Sequence, residues 1–369
     1  MTRTLRRSAT LALALAATTA LAACTSDSAS DTVAAAASAA ASVAPGTASA
    51  SASASPSTGD EPGCEDARGK TVGYSEPIPD PNFAQIEKIM RSGLDQYGVE
   101  LKTTNANLNP GKQLSDIRTL LQGGIDVLVI NPLAVQAIEP ALSQVRDKDV
   151  PIVAQETRQG GPYATNVTAD VETAVSEATA QIKAEGEGGK VAAVTGPPLA
   201  EILVRENTAF EENAKKDGLT VVESQANTQI SPAGAKAVAD GYKQKYGNDL
   251  TAIWTFNDTS AVGIASSFGP DFQPELYSIN GQPEAIPFVK DGRITATWDL
   301  RQDKLGQALA YAALQALCNK ELPKEIVVPV QKIDKSNVES YRPLSDRAND
   351  PFQVELEERD GRTFIKIDE

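Results

Sequence analysis

The chain has 369 residues, with 49 Asp and Glu against 34 Lys and Arg, three cysteines and no histidine, for a formal charge of −15. Without histidine, Ser-His-Asp and Cys-His catalysis and the usual zinc sites are excluded, so no catalytic residue, no metal and no cofactor is expected. The acidic balance argues against nucleic acid as a partner and suits a soluble domain outside the cell.

Arg3, Arg6 and Arg7 precede an apolar run from Leu11 to Ala22 that is too short to cross a bilayer, followed by Ala23-Cys24. This order reads as a signal peptide over residues 1–23. Leu21-Ala22-Ala23-Cys24 resembles a lipobox, in which the Cys24 thiol is lipidated and becomes the mature N-terminus. An ordinary cleaved signal with an incidental cysteine is the alternative, and Arg6-Arg7 leaves Sec and twin-arginine export both open. Residues 24–64 then hold the lipidated cysteine and an Ala-, Ser- and Thr-rich stretch that cannot bury a core. As a flexible tether it would hold a domain on the order of 30 Å from its anchor. The expected location is extracytoplasmic, attached to the cell membrane through Cys24.

Cys64 to Glu369 is too long for one core and suits two lobes. Short apolar strands alternate with amphipathic helices, the pattern of a parallel sheet covered on both faces. Strands are expected at Thr71–Tyr74, Glu100–Thr104, Val127–Ile130 and Ile152–Ala154, with helices at Phe83–Tyr97, Gly111–Gln122 and Val135–Arg146. After Thr168 the alternation restarts: helix Val171–Ala184, strand Val191–Val194, helix Arg205–Lys216, strand Leu219–Ser224, helix Ala233–Lys245 and strand Ala252–Thr255. Helix Ala261–Phe268, strand Leu276–Ile279, helix Glu284–Lys290, strand Ile294–Thr297 and helix Lys304–Leu317 follow. The fold class is α/β, two doubly wound parallel-sheet lobes. In such sheets ligands bind beyond the carboxyl ends of the strands, which places the ligand in the cleft between the lobes.

Cys64 precedes the first strand and Cys318 ends a late helix. Export permits a disulfide, and closing so long a loop would restrict the unfolded chain by on the order of 5 kcal/mol; two unpaired thiols are the alternative. Residues 346–369 form a C-terminal extension in which Arg359-Asp360-Gly361-Arg362 reads as the turn of a hairpin. Gly186-Glu187-Gly188-Gly189-Lys190 lacks P-loop spacing and reads as a turn. Glu211-Glu212 and Glu357-Glu358 read as solvated charge.

Four segments carry a resemblance to a known family: Tyr74 to Phe83 (YSEPIPDPNF), Asn109 to Pro132 (NPGKQLSDIRTLLQGGIDVLVINP), Pro151 to Arg158 (PIVAQETR) and Phe256 to Gly263 (FNDTSAVG). Over about Lys70 to Val330 the chain resembles the ribose-binding type of periplasmic sugar-binding protein and its lac-repressor-like relatives. No helix-turn-helix is read ahead of Lys70, which sets the repressor branch aside. The resemblance implies two lobes joined by a multi-strand hinge, closing on a monosaccharide and docking as a monomer on the permease of an ABC importer. It implies lobe 1 over 65–165 plus about 296–326, and lobe 2 over 166–295 plus about 327–345.

The resemblance also implies ligand contacts. Asp80, Asn82 and Phe83 fall on the family's Asn-Pro-Phe-Phe pattern; Asp80 and Asn82 are equally placed to cap the following helix. Glu156 and Arg158 stand where the family has an Asp-Arg clamp on sugar hydroxyls. Arg205 lies near the family's arginine, whose spacing would land on Val204 or Glu206, and a surface arginine is the other reading. Gln229 takes the place of an aromatic residue. Asn257 matches a ligand-binding asparagine, with Asp258 expected to cap the next helix. Asn280 replaces an aspartate, and Asp299 is expected to point into the cleft, with Trp298 either stacking on the sugar or filling core.

The leading expectation is therefore a solute receptor for a sugar importer. A receptor of the same fold for a nucleoside, polyol or signalling compound, feeding a sensor, is the alternative. A carboxylate-based glycosidase using Glu156 is the alternative from another class.

Overall fold

The computed structural model describes residues 63–157, 161–185, 189–198 and 200–367. The signal segment, Cys24, the tether up to residue 62, most of the Gly186–Lys190 turn and Arg158 lie outside the described residues.

The first sheet begins with β1 (Thr71–Glu76), β2 (Glu100–Asn105), β3 (Val127–Ile130), β4 (Ile152–Gln155) and β5 (Thr165–Ala169), with α1 (Pro81–Asp95), α2 (Pro110–Gln122) and α3 (Val135–Arg146) between the first four strands. The second contains α4 (Val171–Glu185), β6 (Lys190–Thr195), α5 (Glu201–Asp217), β7 (Thr220–Ala226), α6 (Pro232–Tyr246) and β8 (Leu250–Thr255). It continues through α7 (Asp258–Ala265), β9 (Glu275–Asn280), α8 (Ile286–Asp291) and β10 (Ala296–Asp299). α9 (Gln302–Leu317) and β11 (Glu325–Val328) return to the first sheet, and β12 (Gln331–Asp334) pairs antiparallel with β10 in the second. A short α10 (Leu344–Arg347) and the hairpin β13 (Leu356–Arg359) and β14 (Arg362–Ile365) close the chain.

The strand orders are β13-β14-β11-β5-β4-β3-β1-β2 and β12-β10-β9-β8-β6-β7. β1, β3 and β4 are buried at every position because helices cover both faces, and β3 accordingly runs apolar without alternation. The helix starts follow the caps. Asp80 accepts from the Asn82 N–H at 2.8 Å and Asn109 from the Lys112 N–H at 3.0 Å, each with proline at the first helical position.

β5 was not legible in the sequence, because Thr165–Ala169 carries one large apolar residue. Two of its polar members are bonded inside: Asn166 Nδ2 donates to the Thr157 carbonyl at 2.8 Å and its Oδ1 accepts from the Thr157 N–H, and the Thr168 hydroxyl donates to Glu156. Pairing of β5 with β4 and β11 corrects the crossing points. The chain leaves the first sheet after Ala169 rather than 165, re-enters it after Asp299 rather than 295, and leaves again after Val328 rather than 326.

Helix α9 is apolar on nearly every side and forms the centre of the first lobe's core, against α1. A Cβ on Gly306 would come within 3.0 Å of the Ile89 Cβ, so glycine permits this close crossing. The end of α9 is bonded to the start of the described chain: Cys64 and Cys318 form a disulfide with Cα atoms 5.9 Å apart. The second lobe holds separate core clusters on the two faces of its sheet, one centred on Trp254 and Trp298, the other on Tyr242 and Phe272. The expected hairpin is present, turning at Asp360 and Gly361, both with positive φ as a two-residue turn requires. β14 pairs parallel with β11 and extends the first sheet.

Candidate functional site

The carboxyl ends of the parallel strands bring Ser75, Glu76, Asn105, Asn131, Gln155 and Glu156 together from the first sheet. From the second they bring Thr195, Asn227, Thr255, Asn257, Asn280 and Asp299. The lobes meet along these ends, with one groove lined by Pro132, Leu133, Val135 and Gln136 of the first and Pro198, Ala200 and Val204 of the second.

At the end of β1, Glu76 Oε2 accepts from Asn105 Nδ2 at 3.2 Å, while its buried Oε1 and the Ser75 hydroxyl have no hydrogen-bond partner among the described residues. Burial raises the Glu76 carboxyl above the usual carboxylate range. Behind it the Tyr74 hydroxyl donates to Gln155 Oε1 at 2.7 Å in full burial. Sequence reasoning missed Glu76, Asn105 and Asn227; their only signal was position, one residue at or past a strand end.

Glu156 follows β4 in the left-handed region, with φ at 57°. Its Oε2 accepts from the Thr168 hydroxyl at 2.8 Å and its Oε1 from the Ala169 N–H at 3.2 Å. Arg205 is buried, which removes the surface reading, but its guanidinium is engaged by protein. Nε and Nη2 donate to the two Glu172 oxygens at 2.8 and 2.7 Å, and Nη1 donates to the Thr168 hydroxyl at 2.6 Å, 3.9 Å from Glu156 Oε2. Burial pushes Glu156 up to about 7 against the pull of Arg205 and Thr168. For Glu172 burial acts the same way, but the bonds from Arg205 outweigh it and the carboxyl ends below its ordinary value. This network joins β5 of the first lobe to α4 and α5 of the second.

Several expected contacts are placed differently. Asp80 uses its carboxylate as the cap of α1, Asn82 is half-buried beside it, and Phe83 packs on the edge of the first lobe's core. Gln229 is exposed, while Asn227, two residues earlier, is buried and donates to the Ser231 carbonyl and the Ser260 hydroxyl, both at 3.0 Å. At the next pair the helix cap falls on Asn257 rather than on Asp258. Asn257 Oδ1 accepts from the Ser260 N–H at 2.9 Å and caps α7. Asp258 lies fully buried and accepts from the Ser278 hydroxyl, the Thr297 hydroxyl at 2.7 Å and the Gln282 N–H at 2.6 Å.

Asn280 ends β9, half-buried, with φ at 119°, followed by Gly281 at 65°. A Cβ on Gly281 would lie 2.5 Å from the Asp299 Cβ, so only glycine fits this turn. Trp298 fills core rather than stacking on a ligand: it is fully buried against Tyr277 and its Nε1 donates to Glu177 Oε2 at 2.7 Å. Asp299 is not a free cleft acceptor either. Its carboxylate lies 2.7 Å from Arg347 Nη2 and accepts from the Arg301 N–H at 2.8 Å; burial nevertheless raises it to about 6. The alternation of β10 turns Asp299 to the face opposite Trp298.

Comparison with known proteins agrees with this architecture. The periplasmic binding protein domain matches residues 76–321. The ribose import binding protein RbsB of Bacillus subtilis is 26% identical over 265 residues, covering 71% of this chain and 86% of that protein. The xylitol-binding protein of Mycolicibacterium smegmatis is 22% identical over 262 residues, covering 68% of this chain and 74% of that protein. Among solved structures, a galactofuranose binding protein superimposes with a TM-score of 0.66 at 20% identity, covering 76% of this chain and 99% of that one. A solute binding protein from Bacillus halodurans with bound myo-inositol gives 0.66 at 17% identity, covering 74% and 98%.

Proposed function

This chain belongs to the periplasmic binding protein family and is a binding protein, not an enzyme; we propose that it captures a monosaccharide between its lobes and hands it to the permease of an ABC importer by hinge closure. One observation carries this reading. Buried polar atoms with no partner among the described residues gather where strands of both sheets end or just follow: Ser75 Oγ, Glu76 Oε1, Thr104 Oγ1, Asn227 Oδ1 and Thr255 Oγ1. A polyhydroxylated solute offers several donors and acceptors on one small body, which suits such a rim.

On this reading Asn82, Asn257 and Asn280 supply side-chain amides to hydroxyls, with the Asn257 Nδ2 left for ligand after its Oδ1 has capped α7. Phe83 supplies an apolar face. The three crossings between the sheets form the hinge. Cys24, behind Leu21-Ala22-Ala23, supplies the lipid anchor outside the cytoplasm, and the receptor works as a monomer.

The test is a thermal-shift screen of the purified folded part against monosaccharides, polyols and nucleosides, followed by titration calorimetry. A bound sugar raises the melting temperature by mass action. If no sugar shifts it and a nucleoside does, the proposal fails. The relatives that bind xylitol and myo-inositol are why polyols belong in the screen.

A further inference from the structure

Beyond the three crossings that form the hinge, the chain passes between the lobes a fourth time. β12 belongs to the second sheet, whereas β13 and β14 belong to the first, so the segment between them returns. It leaves the second lobe at Val338, buried in the core cluster around Tyr242 and Phe272, and at Tyr341, which packs on that cluster and donates its hydroxyl to the Gly281 carbonyl at 2.9 Å. It arrives on the first lobe three residues later, where Leu344 and Ala348 cluster with Ile89 of α1. From there the chain stays on that lobe. Lys88 Nζ donates to Asn349 Oδ1 at 2.7 Å, Gln307 Nε2 donates to the Pro351 carbonyl at 2.9 Å, and Phe352 packs against the first lobe's core.

Only Arg342 and Pro343 span the gap, and they have little slack. Tyr341 stands at φ −59° and ψ 131° and Pro343 at φ −65° and ψ 153°, both polyproline-like and close to the full reach of the chain. Proline fixes its own φ and disfavours the helical region for Arg342 before it, so the link does not shorten by coiling either. It also stands apart from its neighbours in the hinge. A cavity of about 150 Å³ lies between them, lined by Asp299, Arg301 and Gln331 at the second and third crossings and by Tyr341, Arg342 and Arg347 at the fourth.

Resting on the reading that the lobes close on a solute by a hinge, we propose that Tyr341–Leu344 is a stiff fourth hinge strand that limits how far the lobes open. The C-terminal extension holds the far end of this strut on the first lobe. Three crossings leave the lobes free to swing about the line that joins them, and a taut link standing apart from them resists the swing. The unliganded receptor is then kept nearer its closed form, and less of the binding free energy goes into closing it.

The test uses the full chain purified in detergent, with spin labels at Leu108→Cys and Ile230→Cys. Both residues are exposed and follow β2 and β7, the sheet edges farthest from the crossing strands β5, β10, β11 and β12, so their separation reads the width of the cleft mouth. Inserting Gly-Ser-Gly between Arg342 and Pro343 slackens the link and leaves the contacts on both sides of it in place. Without ligand, the label separation should then lengthen by several ångströms, within the roughly 10 Å of reach that three added residues supply. Pro343→Gly, which loosens the link without lengthening it, should shift the separation the same way by less. An unchanged separation in both variants would overturn the proposal. The same insertion between Pro329 and Val330, in the third crossing, separates this failure from that of the hinge reading. If it widens the mouth and the changes at Arg342 and Pro343 do not, only the strut falls; if none of the three does, the lobes do not swing and both fall.

Discussion

Arg347 Nη2 lies 2.7 Å from Asp299 Oδ2, while Nη1 of the same guanidinium reaches Asp303 Oδ1 at 2.5 Å. Asp299 ends the last parallel strand of the second sheet and Asp303 begins α9 of the first lobe, so one residue of the C-terminal extension holds both sides of a crossing. Arg362, in the final hairpin, does the same elsewhere: it stands 3.3 Å from Asp170, at the first crossing, and 3.3 Å from Glu325, at the start of β11. Both arginines lie beyond residue 321, where the family match ends.

Replacing Arg347 by alanine leaves the buried Asp299 carboxylate without a cation, with only the Arg301 N–H still donating to it, while Asp303 keeps the Arg301 guanidinium. Breaking a buried pair from one side costs about 3–5 kcal/mol, and the partners here are too buried for solvent to screen them. Urea unfolding of Arg347→Ala should show a loss of that size. Arg362 is more than a third exposed, so Arg362→Ala should cost much less. Equal losses for the two would contradict this account of the extension.

The contribution of Asp258 to stability should fall as pH rises from about 4 to 7. Burial holds Asp258 at about 7 in the folded chain against an ordinary carboxyl near 4, so the folded state binds the proton more tightly. Its contribution is complete below about pH 4 and is lost as pH passes through 7. Asp258→Asn should flatten the melting temperature against pH over this window, since rotating hydroxyls of Ser278 and Thr297 can serve an amide. An unchanged slope would remove Asp258 as its source.

Asn257 has one oxygen in a helix cap and one nitrogen for ligand on the reading above. Asn257→Asp should keep the cap, leaving stability within about 0.5 kcal/mol, yet weaken sugar binding by about tenfold. Asn257→Ala should lose both, with about 1 kcal/mol of stability going with the cap. Unchanged affinity in Asn257→Asp, measured by calorimetry, would take the residue out of the site.

The Cys64–Cys318 disulfide closes a loop spanning 254 positions, a constraint on the unfolded chain of on the order of 5 kcal/mol at most. Reductant, or the paired change to serine, should lower the urea midpoint accordingly. A midpoint that reductant does not move would show that the bond is absent from the purified protein.

The buried strands and capped helices were legible because their causes are local. β3 is Val-Leu-Val-Ile, and Asp80-Pro81 and Asn109-Pro110 each place a capping residue next to a proline suited to the first helical position. β5 was hidden because its burial comes from neighbours far along the chain, which turn Thr165 and Asn166 into interior residues. The candidate site was legible as a set of strand ends but not as a set of roles. Sequence order could not say which of Asn257 and Asp258 faces the helix N–H groups, since that depends on the angle at which β8 hands over to α7. Nor could it foresee that Trp298 and Asp299 each have a partner, because Glu177 and Arg347 are distant in the chain.

The order of strands and helices, and hence the existence of two α/β lobes, follows from apolar periodicity and turn chemistry that residues carry with them. Tertiary structure alone decided where the chain crosses between the lobes, that Cys64 meets Cys318, and which polar side chains are left without a partner. Those depend on distances between segments that lie far apart along the chain.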